Sequence, residues 1–167
     1  MSPRFAGGLV ALAVLAADQT SKLSLLYGLK MVEGQSIKIA PFFDIHLLWN
    51  PGISYSLFSQ ATAGGRRALL GFTIVAVLLL GLWLWRVSGR LAALALGAII
   101  GGALGNGYDR LAYGAVADFC DFHIGNWHWY VFNIADTAIV LGVALLAYDG
   151  LFAEKRAPAG QAGASRP

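Results

Sequence analysis

The sequence predicts an α-helical integral membrane protein: four transmembrane helices, with a small β-sheet and a short surface helix on the extracytoplasmic face. Three observations predict it. Hydrophobic residues make up 57% of the 167-residue chain and charged ones only 13%, where a soluble domain carries roughly a quarter charged residues. Four apolar runs approach the ~20 residues that a spanning helix needs. Between the first two, Tyr27–Arg67 carries stretches in which apolar and polar residues alternate.

The first span runs from Phe5 to about Leu26. A cleavable signal peptide is the competing reading, since Arg4, the apolar run Phe5–Ala17 and small residues before Asp18 fit one. Asp18 and Lys22 argue against it. They are four residues apart, share one helix face and can pair, and the apolar character resumes at Leu23–Leu26. In the long loop, Ser36–Ile39 and Phe43–Leu47 have the period-2 pattern of strands. Pro41 separates them, Asn50-Pro51-Gly52 reads as a turn, and Ile53–Leu57 alternates again. Gly64 and Gly65 give Ser59–Gly65 the character of a hinge or short surface helix.

The second span is Ala68–Trp85, and the tight joint Arg86–Arg90 leads into the third, Leu91 to about Tyr108. Gly97, Gly101 and Gly105 form two overlapping GxxxG motifs, a face that admits another helix backbone. Asn106, Asp109 and Arg110 continue that helix by a turn. The fourth span is Val131 to about Phe152. These limits describe one membrane domain over residues 1–156, with residues 157–167, rich in Ala, Gly and Pro, as a disordered tail. Basic residues beside short connections orient the helices. Arg4, Arg86, Arg90, Lys155 and Arg156 place both termini in the cytoplasm and the loop sheet outside.

Composition excludes several functions. The net charge is +3 without a clustered basic face, so nucleic-acid binding is not expected. Cys120 is alone, which removes any internal disulfide or paired-cysteine metal site. His46, His123 and His128 lack metal-motif spacing.

Polar residues within apolar sequence carry the functional signal. Asp136, read as about five residues into the fourth helix, lies roughly 8 Å along its axis. An isolated carboxylate there costs on the order of 3 kcal/mol, while the macrodipole returns up to about 1 kcal/mol. Asn133 and Thr137 share its face. Asp118 and Asp121 both lie in Val116–Val140 ahead of it, and the residues alone do not choose between them, although Asp121 is the candidate for merely solvating a loop. Arg110, adjacent to Asp109 but not facing it, is free to reach another carboxylate. Trp127, His128, Trp129 and Tyr130 read as an interfacial aromatic belt.

Five blocks together resemble the lipoprotein signal peptidases, or signal peptidase II. They are Asp18-Gln19-Thr20-Ser21-Lys22, Asn50–Ser56, Gly101–Arg110, Val116-Ala117-Asp118-Phe119 and Phe132-Asn133-Ile134-Ala135-Asp136, in order across nearly the whole chain. The resemblance implies a bacterial inner-membrane aspartic endopeptidase that cleaves prolipoproteins before a diacylglyceryl-modified cysteine. It needs no cofactor or metal, and no obligate protein partner is expected besides the substrate and membrane lipid. It assigns Asp118 and Asp136 as the catalytic pair. Asn106, Asp109, Arg110 and Asn133 line or brace the site, and Asp18, Lys22, Asn50 and Gly52 form its outer support. Pro51, Ile53 and Ser54 depart from the family pattern, as does the lack of a proline ahead of Phe132. A proton-coupled transporter is the rival of another class, since such pathways also use intramembrane Asp, Asn and Arg. Its carboxylates would be spread across the bilayer, whereas Asp18, Asp109, Asp118 and Asp136 map toward one face. A structural subunit docking through the glycine face is a further rival, but it would not require two carboxylates beside Asn133.

Overall fold

A computed structural model of the chain describes residues 1–52 and 63–153. Four of its helices are long and apolar enough to cross a membrane. The first, α1 (Pro3–Leu23), continues into a π-helical turn, Ser24–Gly28. Strands β1 (Ser36–Ala40) and β2 (Phe43–Asn50) follow, then α2 (Ala63–Arg86), α3 (Arg90–Ala112), β3 (Val116–Ile124), β4 (Trp127–His128) and α4 (Ile134–Ala153). Gly64 and Gly65 belong to the first turn of α2 and not to a separate surface helix. The rest of the expected surface helix, the strand Ile53–Leu57 and the tail 157–167 involve residues outside those described.

Helix α3 is the central element and packs against α1, α4 and α2. Its glycine face receives α1. A side chain at Gly97 would collide with the Gly7 carbonyl, and a Cβ at Gly101 would lie 2.5 Å from the Ala11 carbonyl oxygen. The two backbones can therefore approach closely only because both positions lack a Cβ. Helix α2 lies at the periphery and turns Phe72, Val75, Leu78, Leu79 and Leu82 outward, as expected for a helix facing lipid. Arg4 stacks over Trp85 with its guanidinium carbon 4.9 Å from the ring centroid. This gathers the α1 start and the α2 end at one end of the bundle.

The sheet caps the opposite end in the order β1-β2-β3-β4, all antiparallel. Leu25, Met31, Leu47, Ala117 and Phe119 form its buried core against the π-helical turn. Strand β3 lies in what sequence patterning leaves as an undivided aromatic segment. It is buried on both faces through Phe119, which erases the alternation that marks a one-sided strand. Phe132 pairs with Cys120, so Val131–Asn133 is drawn onto the sheet and α4 starts at Ile134.

Candidate active site

Asp136 reaches its position through a helix cap. The Asn133 side chain accepts from the Asp136 N–H at 2.9 Å, and the Asp136 carboxylate accepts from the Asn133 N–H at 3.3 Å. This reciprocal arrangement is a capping box. Asp136 is therefore the third residue of α4, closer to the helix end than the sequence suggests, and is half-buried.

Asp118 is the third residue of β3, opposite Leu48 on β2, and only 2% exposed. Asn133 joins it to α4, donating from Nδ2 to Asp118 Oδ1 at 2.6 Å. Asn50, at the end of β2, donates to Asp118 Oδ2 at 3.0 Å and accepts from the Gly52 N–H at 3.0 Å. Asn106 completes the frame. Its Nδ2 donates to Asp136 Oδ1 at 2.8 Å, while its Oδ1 accepts from Asn133 and from Lys22 Nζ, at 3.1 and 3.3 Å. The two carboxylates line one cavity of about 360 Å³, which continues as an apolar lane past Phe72, Leu80, Ile99 and Ile139. Burial, and secondarily the neighbouring Asp136, push Asp118 up to about 7. A carboxylate facing another carboxylate keeps its proton in this way.

A second cluster of carboxylates lies beneath. Lys22 Nζ sits 2.8 Å from both Asp18 and Asp109, and all three side chains are at most 1% exposed. Each aspartate also holds backbone beside the cavity. Asp18 accepts from the Ala135 N–H at 3.0 Å, and Asp109 from the Ala117 N–H at 3.2 Å. These are the residues immediately before Asp136 and Asp118. Gln19, which the motif contains but sequence reasoning passes over, donates to Asp109 at 2.9 Å and to Asp18 at 3.1 Å.

Two sequence expectations change. Arg110 does not pair with a carboxylate among the described residues. Its guanidinium donates to the Gly52 carbonyl at 2.8 Å and to the Asn106 carbonyl at 3.1 Å, tying the β2 turn to α3. Asp121 does not solvate a loop. It is 4% exposed and pairs with His128 at 2.9 Å, because the segment is a strand and β4 returns alongside it with His128 opposite His123. Cys120 offers no alternative nucleophile, since burial pushes its thiol up to about 11.

The family described as signal peptidase (SPase) II matches residues 10–152. The chain belongs to the signal peptidase II family. It is 57% identical over 160 residues to a lipoprotein signal peptidase of Methylocella silvestris, covering 96% of this chain and 94% of that protein. A lipoprotein signal peptidase of Beijerinckia indica is 56% identical over 155 residues, 93% of each chain. A solved structure described as a bacterial membrane enzyme determined by the in meso method at 2.3 Å superposes with a TM-score of 0.78. It is 27% identical and covers 90% of both chains. The protein is thus a multi-pass bacterial membrane enzyme, an aspartic peptidase that removes signal peptides from lipoprotein precursors.

Proposed function

We propose that Asp118 and Asp136 perform this hydrolysis by sharing one proton across a bound water, and that cleavage falls just before the lipid-modified cysteine. Two carboxylates facing one cavity do not both ionise readily. The ionised member takes a proton from water, and the resulting hydroxide attacks the scissile carbonyl. The protonated member donates to the carbonyl oxygen as it becomes an oxyanion. The proton delivered to the leaving nitrogen then completes C–N cleavage and restores the pair. The observation that carries this reading is the Asn106–Asn133 frame, which presents an amide donor to each carboxylate and a cation to neither.

Substrate and orientation follow from the same cavity. Its apolar lane between α2, α3 and α4 suits a lipid chain or apolar signal segment, while the peptide bond lies at the polar end. Arg4, Arg86 and Arg90 lie away from the sheet, which favours a cytoplasmic location for that end and for both termini. The sheet and the aspartates then lie near the extracytoplasmic face, with Asn50, Gly52 and Arg110 fixing the rim, and residues 1–156 act as one domain.

Purified protein incubated with a diacylglyceryl-modified precursor in detergent tests the reading. Wild type cleaves with or without EDTA, and Asp118→Asn and Asp136→Asn fold but do not cleave. Near-normal turnover in either variant, or loss of wild-type activity with EDTA, would refute it.

A further inference from the structure

Tyr130 differs from the aromatic residues beside it. Trp127 and Trp129 meet edge-on at 5.6 Å and are more than half exposed, which suits interfacial anchors. Tyr130 is partly buried, and its hydroxyl donates to Asp136 Oδ2 at 3.4 Å. Its ring lines both the aspartate cavity and a second cavity of about 260 Å³, walled by Trp129, Phe132, Val140 and Leu141. It therefore stands as a partition whose polar tip faces the reacting groups.

The two carboxylates are solvated by the protein unequally. Asp136 receives Asn106 on one oxygen, and the Asn133 N–H and the Tyr130 hydroxyl on the other. Asp118 receives one amide donor on each oxygen, from Asn133 and Asn50. Donors aimed at a carboxylate favour its charged form. Other groups facing Asp136 do not supply this asymmetry by direct pairing. Arg110 of α3 lines the same cavity, and its charge acts on Asp136 more than on Asp118, but its hydrogen bonds go to carbonyls. Lys22 of α1 connects through Asn106. The α2 lining, with Leu69, Phe72 and Thr73, is uncharged. On β3, Asp118 and Cys120 are the titratable neighbours.

We propose that Tyr130 is a positioning residue that holds Asp136 as the ionised base of the pair, leaving the shared proton on Asp118. This rests on the dyad reading above. Asp136 then accepts the proton from water, and Asp118 gives its own to the carbonyl oxygen. The raised value of Asp118, about 7, agrees with this division. The 3.4 Å contact is longer than the ~2.7 Å of a strong O–H···O bond. Bonds of this kind tighten when substrate closes the site.

The test compares wild type, Tyr130→Phe and Asp136→Asn in lipidated-precursor cleavage across the acid and neutral range. Tyr130→Phe removes one oxygen and keeps the partition. It moves the acid limb of kcat/KM to higher pH by about one unit, leaves the alkaline limb in place and changes KM by less than about twofold. Incorporating 3-fluorotyrosine at position 130, a stronger donor of nearly the same shape, moves the acid limb the other way. An unmoved acid limb in both substituted proteins overturns the role of Tyr130 while Asp136→Asn remains inactive. Turnover by Asp136→Asn overturns the dyad itself.

Discussion

Two pairs of aspartates lie in this fold, and they differ in what separates them. Between Asp18 and Asp109 stands the Lys22 ammonium, 2.8 Å from each. The groups bonded to Asp118 and Asp136 are neutral: the amides of Asn106, Asn133 and Asn50, the Asn133 N–H and the Tyr130 hydroxyl. The ammonium bonds both members of the lower pair and makes them a fixed bracket. The upper pair is held by neutral donors, and among the described residues no ammonium or guanidinium hydrogen-bonds either carboxylate, although Arg110 lines the same cavity. The first pair braces; the second, in the mechanism proposed above, shares a proton. The two are mechanically joined, because Asp18 and Asp109 grip the N–H groups of Ala135 and Ala117, one residue before each member of the upper pair.

The largest effect that breaks this contrast is in catalysis. Asp118→Asn or Asp136→Asn lowers kcat by about a thousandfold or more, measured as single-turnover cleavage, with circular dichroism showing an intact fold. Lys22→Met acts on the other pair and leaves two carboxylates buried together. It destabilises the protein by about 3–5 kcal/mol, read as a fall in unfolding temperature in detergent, and activity falls with the fraction folded.

Asp118 also links stability to pH. Its folded value, about 7, lies above the ordinary 3.8, so the folded chain retains a proton that the unfolded chain has released. The associated stability is present below pH ~4 and is lost as pH rises to about 7, up to about 4 kcal/mol in total. Asp118→Asn removes that slope, and above pH ~7 the inactive variant is the more stable one by denaturant titration. The smallest expected effect sharpens the contrast most. The combined variant Asp18→Asn, Lys22→Met, Asp109→Asn keeps the acceptors for Ala135 and Ala117 and removes the charges. It regains most of the stability lost in Lys22→Met, to within about 1–2 kcal/mol of wild type, and retains cleavage. Neutralising the upper pair never does.

The four helices are legible in the sequence because each is a long apolar run, and the glycine spacing foretells the close approach of some helix to α3, though not that it is α1. Asp18 with Lys22 is legible as an (i, i+4) pair, but Asp109 as the third member is not, since its contact spans two helices. Asp136 is conspicuous as a carboxylate in apolar sequence. Its partner is not, because β3 is buried on both faces through Phe119 and lacks period-2 alternation. Without that strand and its register, Asp118 and Asp121 are equivalent, and resemblance alone separates them. Asn133 advertises polarity but not its cap, so α4 appears to begin early. Tyr130 carries no distinguishing signal, because a tyrosine beside tryptophans already has a sufficient reason to be there.

In the proposed mechanism Asp118 and Asp136 share one proton, held on Asp118. Difference infrared spectroscopy of the purified enzyme, slightly below neutral pH, reads it directly through the C=O stretch of a protonated carboxylic acid. One such band is expected from the aspartate cavity, lost in Asp118→Asn and retained in Asp18→Asn and Asp109→Asn. Absence of the band in wild type, or its survival in Asp118→Asn, contradicts the account.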